Sequence, residues 1–322
     1  MSFNSTKTLL TNTMMIGVIM TICSNNWFSM WMGLEITLMS FIPMLQNNNI
    51  LSSESMIKYF IVQSVASTLM LLSIFIMLIG VSMMNQYLLM TAMLIKVGSA
   101  PFHNWVIMII ETINYYEMWI MLTIIKMPPL TILYQTNVNK LTFPIILGLI
   151  LSSISCLNQT SMRKTIGFSS IYNMSMMILI VNKFNLLIIF MTIYSVMMGI
   201  LVNFINKLKI KFVNQMIFNE KNVKLKLNLW INMLSMGGFP PLMGFFMKLL
   251  VIQMLLQENI TMTMVIMLTS MFVMMFYMRL AFTSMITIHS SMKWSKNKYN
   301  NYFTMIINII LFPILISLTE AL

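Results

Sequence analysis

Four ionisable side chains stand where charge is hardest to solvate. Glu35 is the ninth residue of WFSMWMGLEITLMSFIPML, Lys96 the tenth of YLLMTAMLIKVGSAPFHNWVIM, Lys126 the thirteenth of the apolar run 114–136, and Lys248 follows MGGFPPLMGFF and Met247. A bilayer core takes about twenty helical residues to cross, so all four fall deep within membrane-length stretches. An isolated charge at that depth is costly, and such residues pair with one another or line a hydrated cavity. One carboxylate cannot neutralise three ammonium groups, so at least one lysine has to be able to take and release a proton. A single Glu–Lys pair could simply lock two helices together. Four groups at midplane depth, two of them beside helix-breaking residues, point instead to a proton or ion path.

The elements that must position them follow from composition. The chain has 322 residues, 59% hydrophobic and 8% charged, with mean hydropathy +0.86, which excludes a soluble globular domain and indicates an all-α integral membrane protein. Splitting apolar runs at polar clusters gives eleven candidate membrane helices: 8–23, 27–46, 57–80, 87–108, 114–136, 141–157, 166–182, 185–206, 227–257, 260–282 and 301–319. With the N-terminus inside, thirteen basic residues fall on the inner loops, from Lys7 and Lys58 to Lys298, against only Lys140 and Lys183 outside. Omitting one span would scramble that asymmetry. Arg279 is expected to snorkel to the inner face.

The fourth stretch carries Gly98-Ser99-Ala100-Pro101 and the ninth carries Gly237-Gly238 and Pro240-Pro241, so both are expected to be broken helices. Lying five spans apart, they divide the chain into two inverted five-helix repeats, about 8–136 and 141–282, with the helix 301–319 left over, all within one membrane domain 1–322. Pro128-Pro129 should kink the fifth stretch beside Lys126.

The remaining charged residues invite plainer readings. Glu117, beside Tyr115, Tyr116 and Trp119, reads as an interfacial charge in an aromatic belt, and Glu111 as solvated in the preceding loop. The six lysines between Asn206 and Lys226 read as an anchor against anionic lipid or a neighbouring subunit, not a nucleic-acid site. His103 could relay protons or be a hydrogen-bonded structural imidazole. Two cysteines, Cys23 and Cys156, and two histidines are too few for a metal site, an iron–sulfur cluster or a disulfide framework, so no redox centre or cofactor is expected in this chain. The 42 methionines serve as soft apolar filler.

Four motifs, WMGLEITLMSFIPML, IKVGSAPFHNW, LNQTSMRKTIGFSSIYNMS and LSMGGFPPLMGFFMKLL, together resemble the mitochondrial NADH–ubiquinone oxidoreductase chain 2 family, antiporter-like membrane-arm subunits of respiratory complex I. The resemblance runs in order from Asn12 to about Leu280, and the methionine-rich composition points to an invertebrate form. It implies that Glu35, Lys96, Lys126 and Lys248 form a hydrated charged axis that moves protons across the inner mitochondrial membrane while quinone is reduced elsewhere. It also implies that NAD, FMN, iron–sulfur clusters and ubiquinone belong to partner subunits, and that the partners of this chain are other membrane-arm subunits and phospholipids. The N-terminus carries Lys7 and an apolar run but no cleavage-like or Arg-rich presequence, so a retained first span and synthesis inside the organelle are expected, with the N-terminus on the matrix side. Departures from the family pattern occur at Asn104, at Val106-Ile107-Met108, at Ile124-Ile125, at Pro128 and at Ser155-Cys156. The rival readings are a scaffold subunit whose charges only hold helices in register, and a free-standing cation/proton antiporter.

Overall fold

A computed structural model describes residues 5–46, 50–80, 82–136, 141–215 and 223–285. The stretch 301–319 expected to form the last helix lies outside the described residues, as do Lys140, Lys221, Lys293, Lys296 and Lys298. The described residues are helical throughout, joined by short turns, with one isolated bridge between Ser161 and Phe212. Helices occupy each of the first ten expected stretches, and five of them are by themselves long and apolar enough to cross a membrane.

Two compact units can be distinguished, Met1–Gly148 with Asn173–Phe184, and Leu149–Tyr172 with Asn185–Leu322. The first contains α1 (Ser5–Cys23), α2 (Trp27–Leu45), α3 (Ile50–Ile79), α4 (Ser82–Val97), α5 (Asn104–Thr112), α6 (Tyr115–Leu122) and α7 (Met127–Gln135). Next come α8 (Thr142–Leu157) and α9 (Met162–Ile180), which contribute residues to both units. The second unit continues with α10 (Phe184–Leu208), α11 (Val223–Gly237), α12 (Met243–Glu258) and α13 (Ile260–Met285).

In the first unit α1 lies along α2, α2 along α3, and α3 along both α4 and α5. The α1–α2 approach is as close as backbones allow. A Cβ on Gly17 would lie 3.0 Å from the Gly33 carbonyl, and one on Gly33 would lie 2.9 Å from the Gly17 carbonyl. This contact fixes the face of α2 that carries Glu35.

The partition of α3 is inverted relative to a soluble helix. Ser52, Ser55, Tyr59, Gln63, Ser67 and Ser73 face inward, while Phe60, Ile61, Val65, Leu72 and Phe75 face out. An apolar exterior suits hydrocarbon, and the hydroxyls of Ser55, Ser67 and Ser73 are satisfied by carbonyls one turn back, as for Ser55 to Ser52 O at 2.8 Å. The helix begins at Ile50, seven residues before the expected 57, because the Ser-rich start is stabilised by the Glu54–Lys58 pair one turn apart.

The chain leaves helical geometry at Gly98 and again at Gly238, both left-handed, with φ of +71° and +76°. Both ends are closed in one way. The residue after the glycine donates five residues back, Ser99 N to Leu94 O at 3.2 Å and Phe239 N to Leu234 O at 3.1 Å. Glycine is required here, because a side chain in this backbone conformation is strained.

Two expectations are corrected and one, for Glu117, is sharpened. The interruption beside Lys126 is not at the prolines but before them: α6 ends at Leu122, Ile124–Lys126 form one 3-10 turn, and Pro128-Pro129 sit in the first turn of α7. A missing N–H costs nothing in a first helical turn, so the prolines start a helix instead of bending one. Glu117 is not a solvated charge among aromatic side chains. It is 1% exposed, caps α6 through Asn114 N at 3.2 Å, and pairs with Lys7 at 2.9 Å. Lys226, expected in a solvated loop, is 4% exposed in the first turn of α11.

Candidate functional site

Lys96 occupies the last turn of α4, two residues before the left-handed Gly98, and is 4% exposed. A helix C-terminus leaves carbonyls without intrahelical donors. Here each is filled by something other than the lysine. The Leu94 carbonyl takes Gly98 N at 3.0 Å, the Ile95 carbonyl takes the Trp105 indole Nε1 at 3.1 Å, and the Lys96 carbonyl takes Gln63 Nε2 at 3.4 Å. Trp105 returns from the far side of the break, on α5, to close the helix it follows.

The ammonium is thereby left uncommitted. Glu35, half-buried on α2, is near enough to interact with it electrostatically, yet the two do not form a direct ion pair. Beside Lys96 is a small cavity lined by Leu34, Thr37, Tyr59, Gln63, Ile125 and Pro129, together with Leu38, in which a water centre can move through about 10 Å³. That is about the room one water needs, and the lining offers polar partners from Thr37, Tyr59 and Gln63. Pro129 adds to this, since it has no N–H for the Ile125 carbonyl one turn back.

Lys126 follows Ile125 directly, at the end of the 3-10 turn, and is 2% exposed. Its Nζ has no hydrogen-bond partner among the described residues. A buried amine without a partner is expensive, and it persists here in the one part of the helix whose backbone is irregular.

Lys248, in the second unit, is placed differently. It sits on α12, after the Gly238 break, and reaches back so that Nζ donates to the carbonyl of Gly237, the last residue of α11. A cation at a helix C-terminus is stabilised by the helix dipole as well as by the hydrogen bond. Its Nζ also lies 5.9 Å from the centroid of the Tyr172 ring. Gly238 makes room for this path, since a Cβ there would stand 2.7 Å from the lysine Cε.

The structure therefore brings Lys96 and Ile125, the residue preceding Lys126, to one cavity, with Glu35 outside its lining but within electrostatic reach of Lys96, and holds Lys248 at a helix end. Of the secondary candidates, His103 stands at the N-cap position of α5 without a side-chain capping bond, its Nδ1 3.3 Å from the Pro101 carbonyl, and Glu111 is exposed at the end of α5 rather than in a loop. No group of three or more His, Cys, Asp or Glu that could hold a metal ion occurs among the described residues. Gln63, Tyr59 and Trp105 were not singled out from the sequence. Their signal was the inward polar stripe of α3 at spacings of three and four, and the tryptophan seven residues past the breaking glycine.

The pattern of the NADH:quinone oxidoreductase/Mrp antiporter transmembrane family matches residues 24–82 and 78–273. A NADH-ubiquinone oxidoreductase chain 2 from Anopheles gambiae is 36% identical over 306 residues, covering 89% of each chain. That of Locusta migratoria is 33% identical, covering 90% of this chain and 89% of its own. Among solved structures, a chain of respiratory complex I from Thermus thermophilus superposes with a TM-score of 0.83 at 17% identity, covering 98% of this chain and 78% of its own.

Proposed function

Because the chain belongs to the NADH:quinone oxidoreductase/Mrp antiporter transmembrane family, we propose that it is a proton-translocating membrane subunit of a mitochondrial NADH–ubiquinone oxidoreductase. It carries no redox centre of its own. NADH oxidation and ubiquinone reduction take place in partner subunits that hold NAD, FMN, iron–sulfur clusters and quinone, and this chain couples to them through the membrane arm. We place it in the inner mitochondrial membrane as an organelle-encoded chain of eleven spans and two inverted repeats, N-terminus on the matrix side, with its lysine-rich loop against anionic lipid and neighbouring subunits.

The observation that carries this reading is the environment of Lys96. Its helix-end carbonyls are filled by Trp105 and Gln63, its carboxylate neighbour is close without bonding it, and a water-sized cavity adjoins it. A lysine held only as a structural lock would be bonded to its partner. In this reading Glu35 sets the proton affinity of Lys96 by its own charge state, Lys96 exchanges protons through the cavity with the region of Lys126, and Lys248 carries the second half of the route. The scaffold reading has one observation in its favour, that Lys248 closes the end of α11.

The test is the assembled complex carrying Lys96→Met. Quinone-linked proton translocation is expected to be lost per assembled complex, and coupled NADH oxidation to fall with it. Unchanged pumping would remove Lys96 from the route.

A further inference from the structure

The Nζ of Lys126 has no hydrogen-bond partner among the described residues, so the place of this lysine is set by the backbone that carries it. That backbone is short and interrupted on both sides. The eight residues of α6 lie between the extended Ile113 and Asn114 and the irregular Thr123, with the 3-10 turn Ile124–Lys126 directly after. A helix of about two turns is marginal on its own, so its position has to be held from outside.

Glu117, in the first turn of α6, is where it is held. The carboxylate is 1% exposed and accepts from Asn114 N at 3.2 Å on Oε2, and from Asn114 Nδ2 at 3.1 Å and Lys7 Nζ at 2.9 Å on Oε1. Asn114 closes the start of the helix. Lys7 brings in α1, and α1 reaches both sides of the interruption. Lys7 lies on the stripe of the buried Met14, Val18 and Thr21, seven, eleven and fourteen positions further on, and α1 packs against α7 as well as α2. The 19 residues of α1 extend about 28 Å, and α6, the 3-10 turn and α7 together about 32 Å. α1 is thus long enough to bridge the turn, tied to the chain before Lys126 by an ion pair and to the chain after it by packing.

The Lys96 cavity moves with this turn, because its lining includes Ile125, directly before Lys126, and Pro129, three residues after it. A shift of α6 along its axis changes both the depth of Lys126 and the shape of that water-sized space. We propose that Lys7 and Glu117 are positioning residues, whose ion pair makes α1 a splint across the 3-10 turn and sets the place of Lys126 relative to the Lys96 cavity. The proposal rests on the reading of Lys96 and Lys126 as proton carriers. Lys7 and Glu117 carry no proton in it. Their pair is asymmetric, since the Lys7 side chain is 38% exposed and the Glu117 carboxylate is buried. Removing the Lys7 charge leaves Glu117 with its Asn114 donors, so α6 stays capped while α1 is released from it.

The test uses two variants in the assembled complex. Glu117→Gln keeps the cap, because glutamine serves at this helix position as glutamate does, and removes the charge that holds Lys7. Lys7→Met removes the other partner. Quinone-linked proton translocation per assembled complex is expected to fall about threefold in each, within the loss that a displacement on the order of 1 Å causes at a reacting group. The double variant is expected to be no slower than either single one, because all three lose the same contact. Lys7→Arg is expected to keep the wild-type rate. A pair that only stabilises the fold would lower the yield of assembled complex and leave the rate per complex unchanged, and that result overturns the proposal. So does a Lys7→Arg complex as slow as Lys7→Met. Should Glu117→Gln fail to assemble, Lys7→Met reads the same contact from its exposed side. Lys96→Met is measured alongside. A loss in Lys96→Met with none in Lys7→Met overturns the splint alone, whereas an unchanged rate in Lys96→Met overturns the underlying function.

Discussion

The two helix breaks solve one problem in opposite ways. Gly98 and Gly238 both end a helix in the left-handed conformation with the same five-residue hydrogen bond, and each break has a lysine beside it. At the first, the lysine precedes the glycine, and other side chains close the helix end: Trp105 on the Ile95 carbonyl and Gln63 on the Lys96 carbonyl. At the second, the lysine follows the glycine by ten residues and closes the helix end itself, through Gly237 O. What frees a buried lysine is a helix end closed by other side chains. A charge that fills an orphan carbonyl is part of the backbone accounting, and moving its proton exposes that carbonyl. A charge whose carbonyls are filled by others can change state without disturbing the fold.

The largest effect should come from breaking the shared device. Gly98→Ala places a Cβ against the Val106 side chain and 3.1 Å from the Trp105 ring in a left-handed backbone, so it carries conformational strain of about 1–2 kcal/mol plus a clash with the side chain that closes the helix. Gly238→Ala carries the same strain, but its Cβ meets the flexible end of Lys248, which can shift. Both should reduce assembled complex on native gels, Gly98→Ala more.

Next comes the direct contrast of the lysines. Lys248→Met leaves the Gly237 carbonyl without a partner and should cost about 1–3 kcal/mol, read as earlier thermal inactivation of the solubilised complex. Lys96→Met breaks no hydrogen bond and removes a buried charge, so its stability should be unchanged or higher even as pumping is lost. Equal destabilisation by the two would break the comparison.

Smaller still are the residues that do the closing at the first break. Trp105→Phe should cost about 1 kcal/mol for the indole bond to Ile95 O, and, by freeing that carbonyl to compete for Lys96, should slow pumping without abolishing it. Gln63→Leu removes a longer bond, 3.4 Å, and should cost about 0.5 kcal/mol in stability, with a measurable loss of pumping because the cavity also loses a polar wall. A loss of pumping by Gln63→Leu as complete as that by Lys96→Met would mean that Gln63 carries protons itself.

The parts legible in the sequence were those where rarity is itself information. Glu35, Lys96, Lys126 and Lys248 stood out because charge is scarce in apolar runs, and Gly98 and Gly238 because a glycine beside prolines in such a run has few other uses. What carries the site's geometry was harder to see. Gln63 and Trp105 act through a hydrogen bond to a carbonyl distant along the chain, 33 and 10 residues away, and nothing local marks a side chain for that task. Tyr194 and Tyr277 look like ordinary aromatic filler, and nothing in the sequence marks their oxygens as buried without a hydrogen-bond partner. At Lys126 the prolines drew attention to the wrong residues, since proline marks the start of α7 as readily as a kink. The aromatic neighbourhood of Glu117 does not reveal that Lys7, 110 residues earlier, arrives to pair with it.

A hydrated, exchangeable Lys96 and a Lys96 that is half of a structural ion pair differ in one visible feature, the water between the ammonium and Glu35. A high-resolution experimental map of the assembled complex tests for it most directly. The predicted result is an ordered water in the cavity between Thr37, Tyr59, Gln63 and Lys96, bridging the ammonium toward Glu35. A dry cavity with Lys96 bonded directly to Glu35 would contradict it.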